Sequence, residues 1–317
     1  MKKVEKFWLI ITAVLVSVVL IFVAVMSKHE WDFSKLSKHE YITNTKKIAK
    51  DFSSISIDSN ANITFKLAND KKCKVECLED EKEKHFVSVQ DDTLFIKTIN
   101  EKSWYDYIGF NFNSPKLTVY LPKTQYTSLF INGSTEDIDI SKDYKFENAS
   151  ISLSTGNVEF FANTSKEIMI ETTTGNIEFS TSNSKNAKIT TTTGDMHFKN
   201  AVANNLEIST DTGTATLNNI KCKSLKSHGD TGDIYLSNVI ATDKFVIEND
   251  TGDVYFENSD AAEIFVDTDT GDVTGSLASD KVFIVRTDTG SIDVPKTITG
   301  GRCEITTDTG DIRMNTK

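Results

Sequence analysis

Five histidines and four cysteines in 317 residues leave little material for acid–base, nucleophilic or metal chemistry. His29 and His39 fall in a polar stretch near the N-terminus, His85 in an irregular β region, and His197 and His228 at different positions of a repeat. No Ser-His-Asp or Cys-His constellation follows from them. Cys73 and Cys77 share one strand face with Val75 between them, and residues four apart in a strand are ~13 Å apart, beyond disulfide reach. Cys222 and Cys303 fall in different columns of the repeat, about four coils apart. No second close Cys or His pair completes a tetrahedral zinc set. Long insertions are also lacking: the repeat spacing never varies by more than one residue. Carbohydrate-active solenoid enzymes build clefts from loops projecting between coils, so unbroken repetition points to a non-enzymatic surface. Excess positive charge is absent too. The formal net charge is −11 and resides almost wholly in the repeats, which argues against a nucleic-acid partner.

What the chain does have is a Thr-Gly pair every nineteen or twenty residues, nine times from Gly156 to Gly310. A fixed period of that length marks the coils of a solenoid, because one unit alone has no partner for its apolar face. Two residues after the glycine stand Val158, Ile177, Met196, Ala215, Ile234 and Val254, and four after stand Phe160, Phe179, Phe198, Leu217, Leu236 and Phe256. Five before it stand Ile151, Ile170, Ile189, Ile208 and Ile247, with Ile168, Leu206, Leu225 and Phe245 two residues earlier. These alternations are those of half-buried strands. Their parity changes across the Thr-Gly step, so each coil turns a corner there, and glycine suits it. Asn200, Asn219, Asn238 and Asn258 share one column six residues past the glycine, where a second turn stacks side-chain amides coil upon coil. The reading is an all-β parallel β-helix of nine or ten coils, rising ~4.8 Å per coil. Hexapeptide helices, calcium β-rolls and leucine-rich repeats need other spacings or turn residues.

Phe7 to Met26 carry no charge over twenty residues, a length that just spans a bilayer core. Lys2, Lys3 and Lys6 precede that run and Lys28, Glu30 and Asp32 follow it, which by the positive-inside rule places the N-terminus in the cytoplasm. A cleaved signal peptide is the alternative, but the run is long for one and no small-x-small site follows. The expected organisation is a cytoplasmic tail (1–6), a signal-anchor helix (7–26), a polar spacer (27–50), an irregular β capping region (51–134) and the repeats (135–317), with Thr135 to Ile138 as a degenerate tenth copy.

The Thr-Asp-Thr-Gly-Asp-Ile motif, complete at Thr307 to Ile312 and partial at Thr287 to Gly290, and the lead-in Lys116-Leu-Thr-Val-Tyr-Leu-Pro122 resemble the bacterial putative-adhesin family of β-strand-repeat proteins. That resemblance covers nearly the whole chain after the apolar run. It implies one membrane anchor followed by a β-helix and an extracytoplasmic role in the cell envelope. The family includes a membrane protein encoded with the Lia envelope-stress system, and it supplies no catalytic residues to carry over.

Charge is concentrated further. Eleven acidic residues and one lysine lie between Ala241 and Asp280. One aspartate column stands two before the glycine, including Asp250 and Asp269, and another just after it, including Asp253 and Asp272. Aspartates at a turn offer Ca²⁺ rows of oxygen ligands, which makes these four a candidate cation site. They also suit backbone amides beside the glycine, and the earlier coils place Ser154, Thr173 and Thr192 in the same column as Asp250. The threonines just before each glycine continue the inward parity, so the sequence predicts a structural hydroxyl ladder inside or at the corner rather than an exposed row. Trp104 to Phe112 is the most aromatic segment outside the apolar run and reads as a plug on the first coil, or as a carbohydrate or lipid contact. The chain stops part-way through a coil, leaving an edge that predicts self-association or strand docking at the C-terminus. Two functions remain: an envelope-interaction or adhesion surface that binds a protein or glycan, and the ectodomain of an envelope-stress sensing complex acting through a membrane partner.

Overall fold

The computed structural model describes residues 3–28, 30–31, 41–69, 72–104, 114–181 and 183–317. A helix, Lys3–Lys28, precedes an all-β solenoid whose strands form one continuous 27-stranded sheet. The helix is long and apolar enough to cross a membrane by length and composition, with mean hydropathy 2.4 over Ile11–Lys28. Val14, Leu20 and Ile21 are exposed on it.

Each regular coil is a long strand, a glycine corner and a short strand, as in Lys145–Thr155 followed by Val158–Phe160. Coils stack parallel and in register: Ile151 faces Ile170, which faces Ile189, while Val158 faces Ile177, which faces Met196. The predicted inward columns are buried, and Phe160, Phe179 and Phe198 stack along the core with ring centroids 6.0 and 5.4 Å apart. The second turn falls at the asparagines. Asn200, Asn219, Asn238 and Asn258 have φ between 49° and 56°, the left-handed region that Asn tolerates best after glycine. Their amides form two rungs of the expected ladder, Asn219 Nδ2 donating to Asn200 Oδ1 at 2.6 Å and Asn258 to Asn238 at 2.7 Å, while Asn238 Nδ2 donates to Ser237 Oγ at 3.3 Å.

Sequence order and spatial order part company at both ends. At the C-terminal end, Val273 pairs with Ile312, which pairs in turn with Ile292. Likewise Ile264 pairs with Cys303, and Cys303 with Phe283. The chain therefore passes outward to build the coil 281–293 and returns to fill the gap with 301–316. The open edge expected at the C-terminal strand belongs instead to 281–293, where Ile292 is 46% exposed while Ile312 is buried. At the other end, Ile55 lies between Leu94 and Leu129, and Ile63 between Leu117 and Ile138. The coil formed by 54–67 is thus covered by Thr93–Asn100 and Lys116–Leu121, which are later in the chain.

Beyond that coil the pairing becomes antiparallel. Cys73–Asp80, Glu83–Gln90 and Thr93–Asn100 meander, and Tyr41–Ile48 adds antiparallel to Cys73–Asp80. The spacer expected over 27–50 is accordingly a strand from Tyr41 onward. It read as polar because it is an edge strand with no fully buried residue. Regular coils also begin earlier than predicted, since Gln125–Thr135 is in register with Lys145–Thr155. Residues 105–112 of the aromatic segment lie outside the described residues. The core of the first coils is filled by Phe65, Tyr126, Tyr144 and Phe146, with neighbouring centroids 5.9–6.5 Å apart.

Candidate functional site

Two regions gather polar side chains in a way the core does not require. The first is the corner. Along five of the long strands alternation holds up to the residue three before the glycine, which is buried (Thr172, Thr191, Thr210, Thr268, Thr307), and then breaks. The next two residues are both exposed. The threonines just before each glycine are therefore outside, contrary to the parity extrapolated from the strand. They pair coil to coil from Thr135 and Thr155 through Thr270, Thr309 and Thr289, giving a continuous exposed row. The inner hydroxyl ladder exists two residues earlier. Thr191 Oγ1 donates to Gly175 O at 3.2 Å and Thr287 Oγ1 to Gly310 O at 2.9 Å, satisfying corner carbonyls that face the interior. The repeated Thr at that position was the sequence signal for it.

The aspartates divide by column. Asp250 and Asp269 are exposed beside the threonine row. Asp253 and Asp272 face the next coil's backbone: Asp272 N–H donates to Asp253 Oδ1 at 2.8 Å, and Asp311 N–H to Asp272 Oδ1 at 2.7 Å. In earlier coils Asn157 and Asn176 accept the same bond at 2.9 Å, so a neutral amide oxygen serves as well as a carboxylate. Asp253→Asn is expected to leave stability within about 0.5 kcal/mol, and Asp253→Ala to cost about 1 kcal/mol through the lost acceptor. Urea midpoints of the two variants check this; equal losses would show that charge, not the acceptor, matters at that position.

The second region is the antiparallel cap. Glu79 and His85 lie on either side of a tight hairpin, both nearly fully buried. His85 Nδ1 is 2.8 Å from Glu79 Oε2, which also accepts the His85 backbone N–H at 2.6 Å. Glu79 Oε1 accepts from Asn44 Nδ2 at 2.7 Å, on the edge strand. His85 Nε2 is 2.9 Å from Ser59 Oγ. The order Ser59, His85, Glu79 is that of a nucleophile, base and orienting acid, a relay the sequence alone hid because its members are twenty-six and six residues apart. Ser59, however, is 1% exposed, and its hydroxyl already accepts from Ala61 N–H and Thr98. The relay ties the cap together and offers no substrate a path to the oxygen. Cys77, buried beside it, brings a third metal-type ligand to His85 and Glu79, all within 4.8 Å of one another. All four cysteines are free and buried, and burial pushes the Cys77 thiol up to about 12.

Glu136 stands where every later coil has its corner glycine, and its side chain turns inward over Gly133, where an added Cβ would meet Glu136 Oε1 at 0.9 Å. Burial raises its carboxyl to about 7, helped by the Asp58 charge and opposed by the Thr135 and Ser134 amides. Oε1 has no hydrogen-bond partner among the described residues. A carboxyl raised in the folded state favours folding while protonated, so this contribution is complete below about 4.5 and is lost as pH rises through about 7. The melting temperature of the parent protein is expected to fall between pH 5 and pH 8 and Glu136→Gln to flatten that fall; an unchanged slope would place the titrating group elsewhere.

Comparison with known proteins gives a family and a set of distant structures. The Toastrack DUF4097 family matches residues 52–214 and 194–317. The crystal structure of a putative adhesin from Bacteroides fragilis is similar over 88% of this chain and 99% of its own, with 16% identity and TM-score 0.43. A putative lipid binding protein from Parabacteroides distasonis aligns over 88% and 98%, with 13% identity and TM-score 0.48. A putative adhesin from the same organism aligns over 87% and 98%, with 13% identity and TM-score 0.43. None of the curated proteins matches this chain.

Proposed function

We propose that this chain, which belongs to the Toastrack DUF4097 family, is a membrane-anchored, extracytoplasmic and non-catalytic β-solenoid that presents its corner face to a cell-envelope partner. The observation that carries the reading is the exposed threonine row, held in register coil after coil and flanked by carboxylates in the later coils. A repeating hydroxyl and carboxylate surface held in register suits extended, repeating polar ligands, of which envelope glycans are the obvious class. The apolar helix Lys3–Lys28 supplies the anchor, and the lysines before its apolar run favour a cytoplasmic N-terminus.

The test is retention of the full-length protein, in proteoliposomes, on isolated bacterial envelopes. The triple change of Thr174, Thr193 and Thr212 to alanine is expected to abolish retention, while changing Glu178 and Thr216 on the short strands leaves it intact. Equal retention by both variants would remove the corner face from the account. Co-purification of a membrane protein that depends on the helix, without envelope retention, would favour the sensing complex instead. The same face offers Ca²⁺ a row of carboxylates at Asp250 and Asp269 next to Asp253 and Asp272. A melting temperature that rises in Ca²⁺ and falls back in Asp250→Asn/Asp269→Asn marks the ion as a bridge; an unchanged one leaves the aspartates to corner chemistry.

A further inference from the structure

We propose that the cap holds a thiophilic divalent cation, Zn²⁺ in kind, between Cys77, Glu79 and His85. The three ligand atoms lie within 4.8 Å of one another, and all three residues are buried. Cys77 and Glu79 are two apart on the strand Cys73–Asp80, hence on one face, and the hairpin returns His85 opposite them. The donor set selects the metal. A thiolate and an imidazole favour zinc and its neighbours over Ca²⁺ or Mg²⁺, which take oxygen ligands. Charge selects it as well: one thiolate and one carboxylate neutralise a dication, so the loaded site buries no net charge, whereas a monovalent ion leaves one negative charge in the core.

The surroundings are those of a ligand set already oriented. Ser59 Oγ, 2.9 Å from His85 Nε2, is placed to accept the Nε2–H bond when Nδ1 carries the metal, its own proton then turning to Thr98 Oγ1 in reversal of the present bond. Asn44 Nδ2 holds the second Glu79 oxygen at 2.7 Å. Such outer partners fix tautomer and orientation around metal-bound imidazole and carboxylate. The proton balance is simple. The Cys77 S–H bond breaks and its proton leaves to solvent, the sulfur lone pair forms the bond to the metal, and the His85 proton shifts from Nδ1 to Nε2. Glu79 exchanges its bond to that proton for a bond to the ion, and water fills the fourth position. Zinc here joins Cys73–Asp80 to Glu83–Gln90, and through Ser59 and Asn44 it reaches the first coil and the edge strand Tyr41–Ile48. It thereby clamps the end of the solenoid nearest in sequence to the apolar helix.

The experiment uses the full-length protein in detergent, stripped with chelator and titrated with Co²⁺ as a spectroscopic stand-in for zinc. One equivalent is expected to produce a thiolate-to-cobalt charge-transfer band and the visible bands of a four-coordinate ion, with release of one proton, and Zn²⁺ is expected to displace it. Both bands should vanish in Cys77→Ser and His85→Gln and persist in Cys222→Ser. Ser59→Ala should keep the bands and weaken binding about 10–100-fold. Absence of the charge-transfer band in the wild type, or its survival in Cys77→Ser, overturns the site. Should Cys77→Ser fail to fold, X-ray absorption of the zinc-loaded wild type decides: one sulfur per zinc supports the assignment, and a sulfur-free shell overturns it.

Discussion

Gly213→Ala is expected to destabilise the solenoid by about 3–5 kcal/mol, far more than any change at the exposed threonine beside it. Gly213 has φ 147°, a conformation L side chains rarely adopt, and an added Cβ would lie 2.0 Å from the Gly194 carbonyl oxygen. That atom is backbone and belongs to the preceding corner, so it has no rotamer by which to retreat. Gly194 meets the Gly175 carbonyl at 2.1 Å and Gly232 meets the Gly213 carbonyl at 2.1 Å in the same way. The corner is a column of close backbone contacts, and a methyl group in the middle pushes against the backbone of the preceding coil. Thr212→Ala, one residue away and exposed, should stay within about 0.5 kcal/mol. Urea unfolding of the two variants gives the comparison directly, and similar losses would mean that the corner tolerates a side chain.

Val254→Asp should be nearly as damaging, at about 4 kcal/mol or more, because it places an unpaired carboxylate where there is no water. Val254 is fully buried between Ile234 and Val273. Tyr255, the next residue, is 42% exposed and meets Tyr235 with the rings tilted by 54° and 6.3 Å between centroids. Tyr255→Asp loses that contact and adds to an acidic surface, a cost of about 1 kcal/mol. The pair differs by one position along a strand, so thermal unfolding of both reads the register; equal losses would refute it.

Much of this architecture is legible in the repeat itself. The alternation around Ile151, Val158 and Phe160 fixes which side faces the core, and the asparagine column fixes the second turn, because both depend on contacts between equivalent positions of adjacent coils. The threonine row was misplaced for a local reason. Thr191 turns inward to a glycine carbonyl, and the strand must then break its alternation before Gly194, which period-two counting does not register. The exchange of coils at each end is hidden for the opposite reason. Ile264, Phe283 and Cys303 are all apolar, and Thr270, Thr289 and Thr309 are identical, so either stacking order satisfies the same columns. The strand Tyr41–Ile48 lacks a buried face to announce it. The Ser59, His85, Glu79 and Cys77 cluster depends on an antiparallel hairpin outside the repeat, where no column of equivalent residues flags a single histidine.

The corner face is the account's central claim, and thiol labelling tests it most directly. Thr193→Cys and Thr191→Cys lie on one strand, two residues apart, exposed and fully buried respectively, in a chain whose own cysteines are all buried. The account predicts that a membrane-impermeant maleimide added to intact cells labels Thr193→Cys and not Thr191→Cys. Labelling of Thr191→Cys alone, or labelling of Thr193→Cys only after the cells are broken, would contradict an outward-facing threonine row on the cell exterior.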